Sequence, residues 1–206
     1  MKKTSALLLA GFLTLAGTVG LAQTADQPDM GRLFNKVNSV AAQLQENLSG
    51  LEANIQASRD SIEKGGEVLD AMLESVKRVN ASMDEDSEIW TELDSLLELW
   101  EQRRQETLTK SESNPAFLPI AQAWQSRLDT GRELRNQIST ERANSLALMR
   151  AIESDRDIVL AYYELGQADK AIESLQKVSA NLTSLNENMQ AIVKTASDAQ
   201  QVPIAP

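Results

Sequence analysis

The chain has no histidine and no cysteine, and these two absences remove most of the reactive chemistry open to a protein. Without histidine there is no Ser-His-Asp arrangement, no His-ligated zinc or haem and no Glu-x-x-His di-iron bundle. Without cysteine there is no thiol nucleophile, no thiolate metal site and no disulfide. The carboxylates, lysines, arginines, serines and tyrosines that remain show no catalytic spacing, so the chain is expected to be non-catalytic and to need no metal or cofactor. Glycine and proline are also sparse, at nine and five residues of 206, and only eight residues are aromatic. A core built from Leu, Ile, Val, Met and Ala with so few turn formers belongs to helices rather than strands.

Basic residues are in deficit as well, and the net charge is −10. Such a chain repels nucleic acid and anionic lipid headgroups, which excludes both as natural partners. Long apolar runs are missing except at the N-terminus. There Lys2 and Lys3 precede a largely apolar stretch from Ala6 to Leu21, and Gly20-Leu21-Ala22 forms a small-x-small site. This is the pattern of a bacterial-type signal peptide over residues 1–22, cleaved near Ala22. The run is short for an uncleaved membrane anchor, and no cysteine follows it to carry a lipid. The expected product is a periplasmic or secreted protein with no membrane insertion after cleavage. It would be two charges more acidic and would depend on packing alone for stability.

What the chain has in abundance is helical periodicity. Over residues 171–192, Ala171, Leu175, Val178, Leu182, Leu185, Met189 and Ile192 recur at alternating spacings of four and three. On a helix they form one narrow apolar stripe, a coiled-coil seam that requires a partner. That partner lies upstream, because residues 119–165 carry a second helical pattern. The link Gly166-Gln167-Ala168 is short enough to fold the two helices back antiparallel. Tyr162, Gly166 and Ala171 stand at a spacing that resembles the turn of a tetratricopeptide repeat. No second copy follows at a period of about 34 residues, so one αα-hairpin with a glycine C-cap accounts for them.

Three further helices are expected before this hairpin. The first spans 29–64, capped by Asp29, with Leu33, Val37, Val40, Leu44, Leu48, Leu51, Ile55 and Ile62 on one face and Ser58 filling a gap. Gly65-Gly66 reads as its stop. The second covers about 67–79, with Asn80 as a left-handed C-cap. Ser82-Met83-Asp84-Glu85 has the form of a capping box opening a third helix that runs to residue 110. Pro115 and Pro119 interrupt the chain over 111–118 and start the long fourth helix, with Gly131 and Asp155-Arg156-Asp157 as candidate kinks. The predicted fold is all-α, an elongated antiparallel helical bundle or coiled coil of about five helices. It occupies 29–198 as one domain, with a possible division into 29–80 and 81–198. A loose segment at 23–28 precedes it, and a disordered tail at 199–206 follows.

Antiparallel pairing across the 111–118 loop sets Trp100 against Gly131, Arg135 near Asp94 to Glu98, and Arg142 near Glu88 and Trp90. Pairing across Gly166 sets Tyr162 near Ala171 and Met149 near Leu185. Acidic residues crowd the start of the third helix. Asp84, Asp86 and Glu88 fall at odd positions of a calcium loop, but Ile89 replaces its glycine and Ser95 its closing glutamate. Negative charge in the first turn of a helix explains the same residues. Asp84, Glu85, Asp86, Glu88 and Glu92, with Tyr163, form the candidate interaction surface. The competing assignment pairs the acids internally with Arg127, Arg132, Arg135, Arg142 and Arg156 of the fourth helix. The fourth helix outruns its neighbours, which leaves part of its stripe for a partner. The expected function is a structural or protein–protein interaction module of the cell envelope, binding another envelope protein or itself. The alternatives are a periplasmic holdase-type chaperone with an apolar inter-helix groove, and a bundle-core binder of a small apolar ligand.

Overall fold

A computed structural model describes residues 28–201, and the expected leader and the last residues of the tail lie outside this range. Six helices follow in order: α1 (Met30–Leu48), α2 (Leu51–Ala57), α3 (Ile62–Ser82), α4 (Glu88–Ser113), α5 (Leu118–Glu164) and α6 (Ala168–Gln201), with a 3₁₀ turn at Pro115–Phe117. Three starts, those of α1, α3 and the 3₁₀ turn, have a side-chain cap close by. The Asp29 carboxylate accepts from the Gly31 N–H at 3.0 Å, Ser61 Oγ from Lys64 N–H at 3.2 Å and Asn114 Oδ1 from Ala116 N–H at 3.1 Å. These side chains satisfy donors that a helix N-terminus leaves free. Gly166, at φ 70°, turns the chain between α5 and α6 in the left-handed conformation a glycine tolerates.

The helices pack as two end-to-end pairs against an antiparallel spine of α5 and α6. α3 and α4 follow one another along α5. Moving down α5, Tyr163 meets Gly65, Arg156 meets Asp70, Glu153 meets Lys77, Arg142 meets Asp84, Arg135 meets Asp94 and Gly131 meets Trp100. α1 and α2 follow one another along α6 in the same manner, through Gln45 with Asn186, Glu52 with Gln176 and Arg59 with Asp169. The seam expected on the last helix is buried throughout, from Ala171 to Ile192, and continues through Ala196 and Ala199. α6 therefore runs past residue 198 to Gln201 before the described residues end. α4 packs on α5 and, near its start, on α1. Its far half and the first turns of α5 project as a two-helix arm capped by the 3₁₀ turn.

Several local expectations are corrected. The first helix does not run to Lys64: it breaks at Gly50, which sits at φ 81°, and the chain turns at Ser58–Ser61. Gly65-Gly66 is no stop, because both lie inside α3. The role of Gly65 is contact, since a Cβ there would stand 2.9 Å from Tyr163 Cζ. Asn80 is not a C-cap but a helical residue whose amide donates to Arg142 O at 3.1 Å and to Ser145 Oγ at 2.8 Å. Ser82 opens no helix; its hydroxyl donates back to Arg78 O, and Ser87 caps α4 instead. Ile62, placed on the buried face from sequence, is 41% exposed at the first position of α3. α5 is unbroken at Gly131 and at 155–157. Gly131 makes room for Trp100, whose Cζ3 would lie 2.9 Å from an added Cβ.

These packing glycines separate two readings of Gly65. Gly65→Ala raises helix propensity by about 1 kcal/mol, which would stabilise a helix limited only by its glycine. Against the Tyr163 ring the extra methyl is overpacked, and a net loss of about 1–2 kcal/mol is expected. Urea unfolding of the variant decides the sign.

Candidate interaction surface

The acidic residues singled out from sequence sit in and after the turn between α3 and α4. Met83 anchors that turn at 1% exposure, and its carbonyl accepts from Trp90 Nε1–H. Asp84, Glu85 and Asp86 lie in the turn, one step before the helix whose first turn they were expected to occupy. Arg142 of α5 donates to Asp84 at 2.6 Å and to Glu85 at 3.1 Å. Glu88, in the first turn of α4, pairs with Lys36 of α1. Glu92 is largely covered: one carboxylate oxygen accepts from the Asp29 N–H at 2.6 Å and lies 3.3 Å from Arg32. Of these five acids only Asp86 has no ion pair among the described residues, and it is exposed. Tyr163 stands far from this cluster, at the other end of α3. Its hydroxyl shares a 2.8 Å hydrogen bond with the buried Ser58, and its ring covers Gly65.

The structure thus brings Asp84, Glu85, Glu88 and Glu92 together as a clamp that joins α1, α4 and α5, and it leaves Tyr163 apart as a packing residue. The internal pairing with arginines of the long helix is realised for Asp84 and Glu85 through Arg142, whereas Glu88 and Glu92 pair instead with Lys36 and Arg32 of α1. Arg135 reaches Asp94 at 3.4 Å as the register required, and its guanidinium also lies 5.3 Å from the centre of the Trp90 ring. Arg142 reaches one helical turn beyond Glu88, to Asp84 and Glu85. Asp84 and Glu88 are each turned toward a base, and among the described residues no three carboxylates converge to hold a metal ion. Hydrogen bonding to Lys36, reinforced by its charge, holds the Glu88 carboxyl below the usual carboxylate range.

Farther along α4, the Arg104 guanidinium hydrogen-bonds Glu101 at 2.6 Å, and Gln105 adds a second bond at 2.9 Å. Arg104 first, then Gln105, bring the Glu101 carboxyl down to about 2. On the facing side of this arm the Arg127 guanidinium lies 5.4 Å from the Trp124 ring centre and 6.0 Å from that of Trp100, and burial lowers its pKa. All three tryptophans pack against helices, as expected from their place on apolar faces.

A second surface emerges that no single sequence signal located. Five large apolar side chains stand out as exposed. Ile62 and Leu118 begin their helices, Leu146 at 37% lies about 120° around the α5 axis from Ile158, and Ile158 at 52% shares one face of α5 with its C-cap Leu165 at 69%. They lie where α5 is already flanked by α3 and α6, and not where α5 outruns its neighbours. Between α5 and α6, beside this face, runs a groove of about 380 Å³ lined by Ala147, Ala151, Asn181 and Ser184. Another groove of about 310 Å³ opens at the Gly50 break between α1 and α3, floored by Leu48, Leu51, Met72 and Leu182. Among the described residues no helix is long and apolar enough to cross a membrane.

The pH dependence of the arm follows from Glu101. Its folded pKa is depressed, so its stabilising effect is present above the unfolded carboxylate value, near 4.5, and is lost as pH falls toward about 2. The carboxyl is partly exposed and the effect is accordingly small. Comparing thermal unfolding at pH 6 and pH 2.5, Glu101→Gln is expected to lose less stability on acidification than the unaltered chain. Compared with known proteins, the chain matches no family model, no curated protein and no solved structure.

Proposed function

We propose that the protein is an exported, non-catalytic helical bundle that serves the cell envelope by presenting a helix face to another envelope protein or to a second copy of itself. The observation that carries this reading is the apolar face of α5, where Ile158 and the C-cap Leu165 remain in water. Exposed apolar side chains gathered on one face of a long helix mark an interaction site more often than scattered ones do. The leader pattern of residues 1–22 supports export to the periplasm or beyond. The acidic balance supports a protein partner over nucleic acid or an anionic membrane.

A second reading rests on the groove at the Gly50 break. Its apolar floor and open rim suit an unfolded segment or a small apolar ligand, which makes a holdase-type chaperone the alternative.

A photoreactive amino acid at position 158 tests the first reading in living cells. It is expected to yield a cross-linked adduct in the periplasmic fraction, with the same group at position 113 yielding none. A chain retained unprocessed in the cytoplasm, or equal yields at both positions, overturns the proposal. Suppression of client aggregation that disappears in Ala71→Trp, which fills the groove, but persists in Ile158→Glu would move the function to the second reading.

A further inference from the structure

We propose that the partner of the α5 face is a second copy of this chain, docked antiparallel about a two-fold axis through Ser154. This inference rests on the interaction reading above and names the occupant of the same surface. Its basis is that the face is complementary to itself. Ala143, Ala147, Ser154, Ile158 and Leu165 are exposed along one side of α5, with Ala161 half-buried among them. Leu165 and Ala143 are equidistant from Ser154 in the chain, and so are Ala161 and Ala147. Antiparallel pairing therefore sets a large residue against a small one and alanine against alanine. Small residues at the crossing let two helices approach closely.

The two flanks of the face agree with this register. Positions seven apart on a helix differ by only about 20° around its axis. Arg150 and Asp157 therefore share one flank, while Ala151 and Ile158 share the other. In a two-fold antiparallel pair each flank meets its own copy, so Arg150 faces the partner's Asp157 and Ile158 faces the partner's Ala151, each contact occurring twice. Arg150 is exposed and has no ion pair among the described residues. Asp157 has only a through-space attraction to Arg156, whose guanidinium is already bonded to Asp70. Two opposite charges without close partners thus lie where the second copy would join them. On the opposite flank the groove of about 380 Å³ opens beside Ala147 and Ala151. An isoleucine arriving over Ala151 enters that groove as a knob enters a hole.

Sedimentation equilibrium of the purified protein is expected to show a concentration-dependent dimer. Ile158→Glu should abolish it. Arg150→Glu should weaken it by about tenfold, and Arg150→Glu with Asp157→Arg should restore it. Register is read from cysteines placed in this cysteine-free chain. Ser154→Cys should form a disulfide dimer on mild oxidation, and Ser113→Cys should not. Ala147→Cys and Ala161→Cys should each form no disulfide alone and cross-link when mixed. Circular dichroism of every variant checks that the helices are intact. A monomer at all concentrations, or Ser113→Cys dimerising as readily as Ser154→Cys, overturns the proposal. If the chain is monomeric but position 158 still cross-links to a different envelope protein, the second copy is refuted and the interaction reading survives. If no adduct of any kind forms, both fail.

Discussion

The antiparallel contact between α5 and α6, closed by the left-handed Gly166, is the constraint from which the other helices take their places. Its apolar seam is continuous over most of α6, and both helices are longer than any other element. The remaining helices are each too short to cover this spine alone, so they cover it in tandem, α1 with α2 on α6 and α3 with α4 on α5. Each tandem contains an interruption, and the two interruptions are staggered. The break at Gly50 lies beside unbroken α3, whose Glu74 and Ser75 line the groove there. The turn between α3 and α4 lies beside unbroken α1, held by Lys36 on Glu88. No level of the bundle loses two helices at once, so the apolar core stays continuous past both breaks.

Polar groups between the helices select this arrangement among the many that leucine-rich surfaces would accept. Apolar ridges slide past one another at little cost, whereas a buried amide left without a partner costs about 1–3 kcal/mol. Asn186 donates to Gln45 across α6 and α1, Asn188 to the buried Glu141 across α6 and α5, and Asn80 to Ser145 across α3 and α5. Ser58 and Tyr163 lock the opposite end. A slip of one turn would strand the buried Asn186, Glu141, Ser145 and Ser58 away from their partners, which is how a few polar contacts fix register in a bundle. The arginine–carboxylate pairs between α4 and α5 act in the same direction, but they are exposed and individually weak.

The same division of labour bears on function. The acids of the α3–α4 turn are largely engaged in holding the molecule together, which shifts attention to the side of α5 that no helix covers. Because α5 packs against α3, α4 and α6 in turn, it is apolar around much of its circumference. A helix of that kind shows no single stripe. The residues left in water, Leu146, Ile158 and Leu165, look in sequence no different from their buried neighbours Ile152 and Val159.

Period, punctuation and pairing across short links were legible without coordinates. The seam of α6, the Gly166 turn, the proline break before α5, the Asp29 cap and the fit of Trp100 over Gly131 all followed from spacing. Spacing sufficed because each depends on residues adjacent in the chain or joined by a short loop, where geometry leaves few options. The ambiguous residues were those with two physical uses. A glycine pair can stop a helix or admit a ring, a serine can cap a helix or bond its own preceding turn, and an asparagine can end a helix or reach across to another. At Gly65, Ser82 and Asn80 the choice depended on Tyr163, Arg78 and Ser145. For Gly65 and Asn80 that neighbour is distant in the chain and close only after folding, so the deciding contact was tertiary. Which side of α5 remains uncovered was decided in the same way, by where the other helices came to rest.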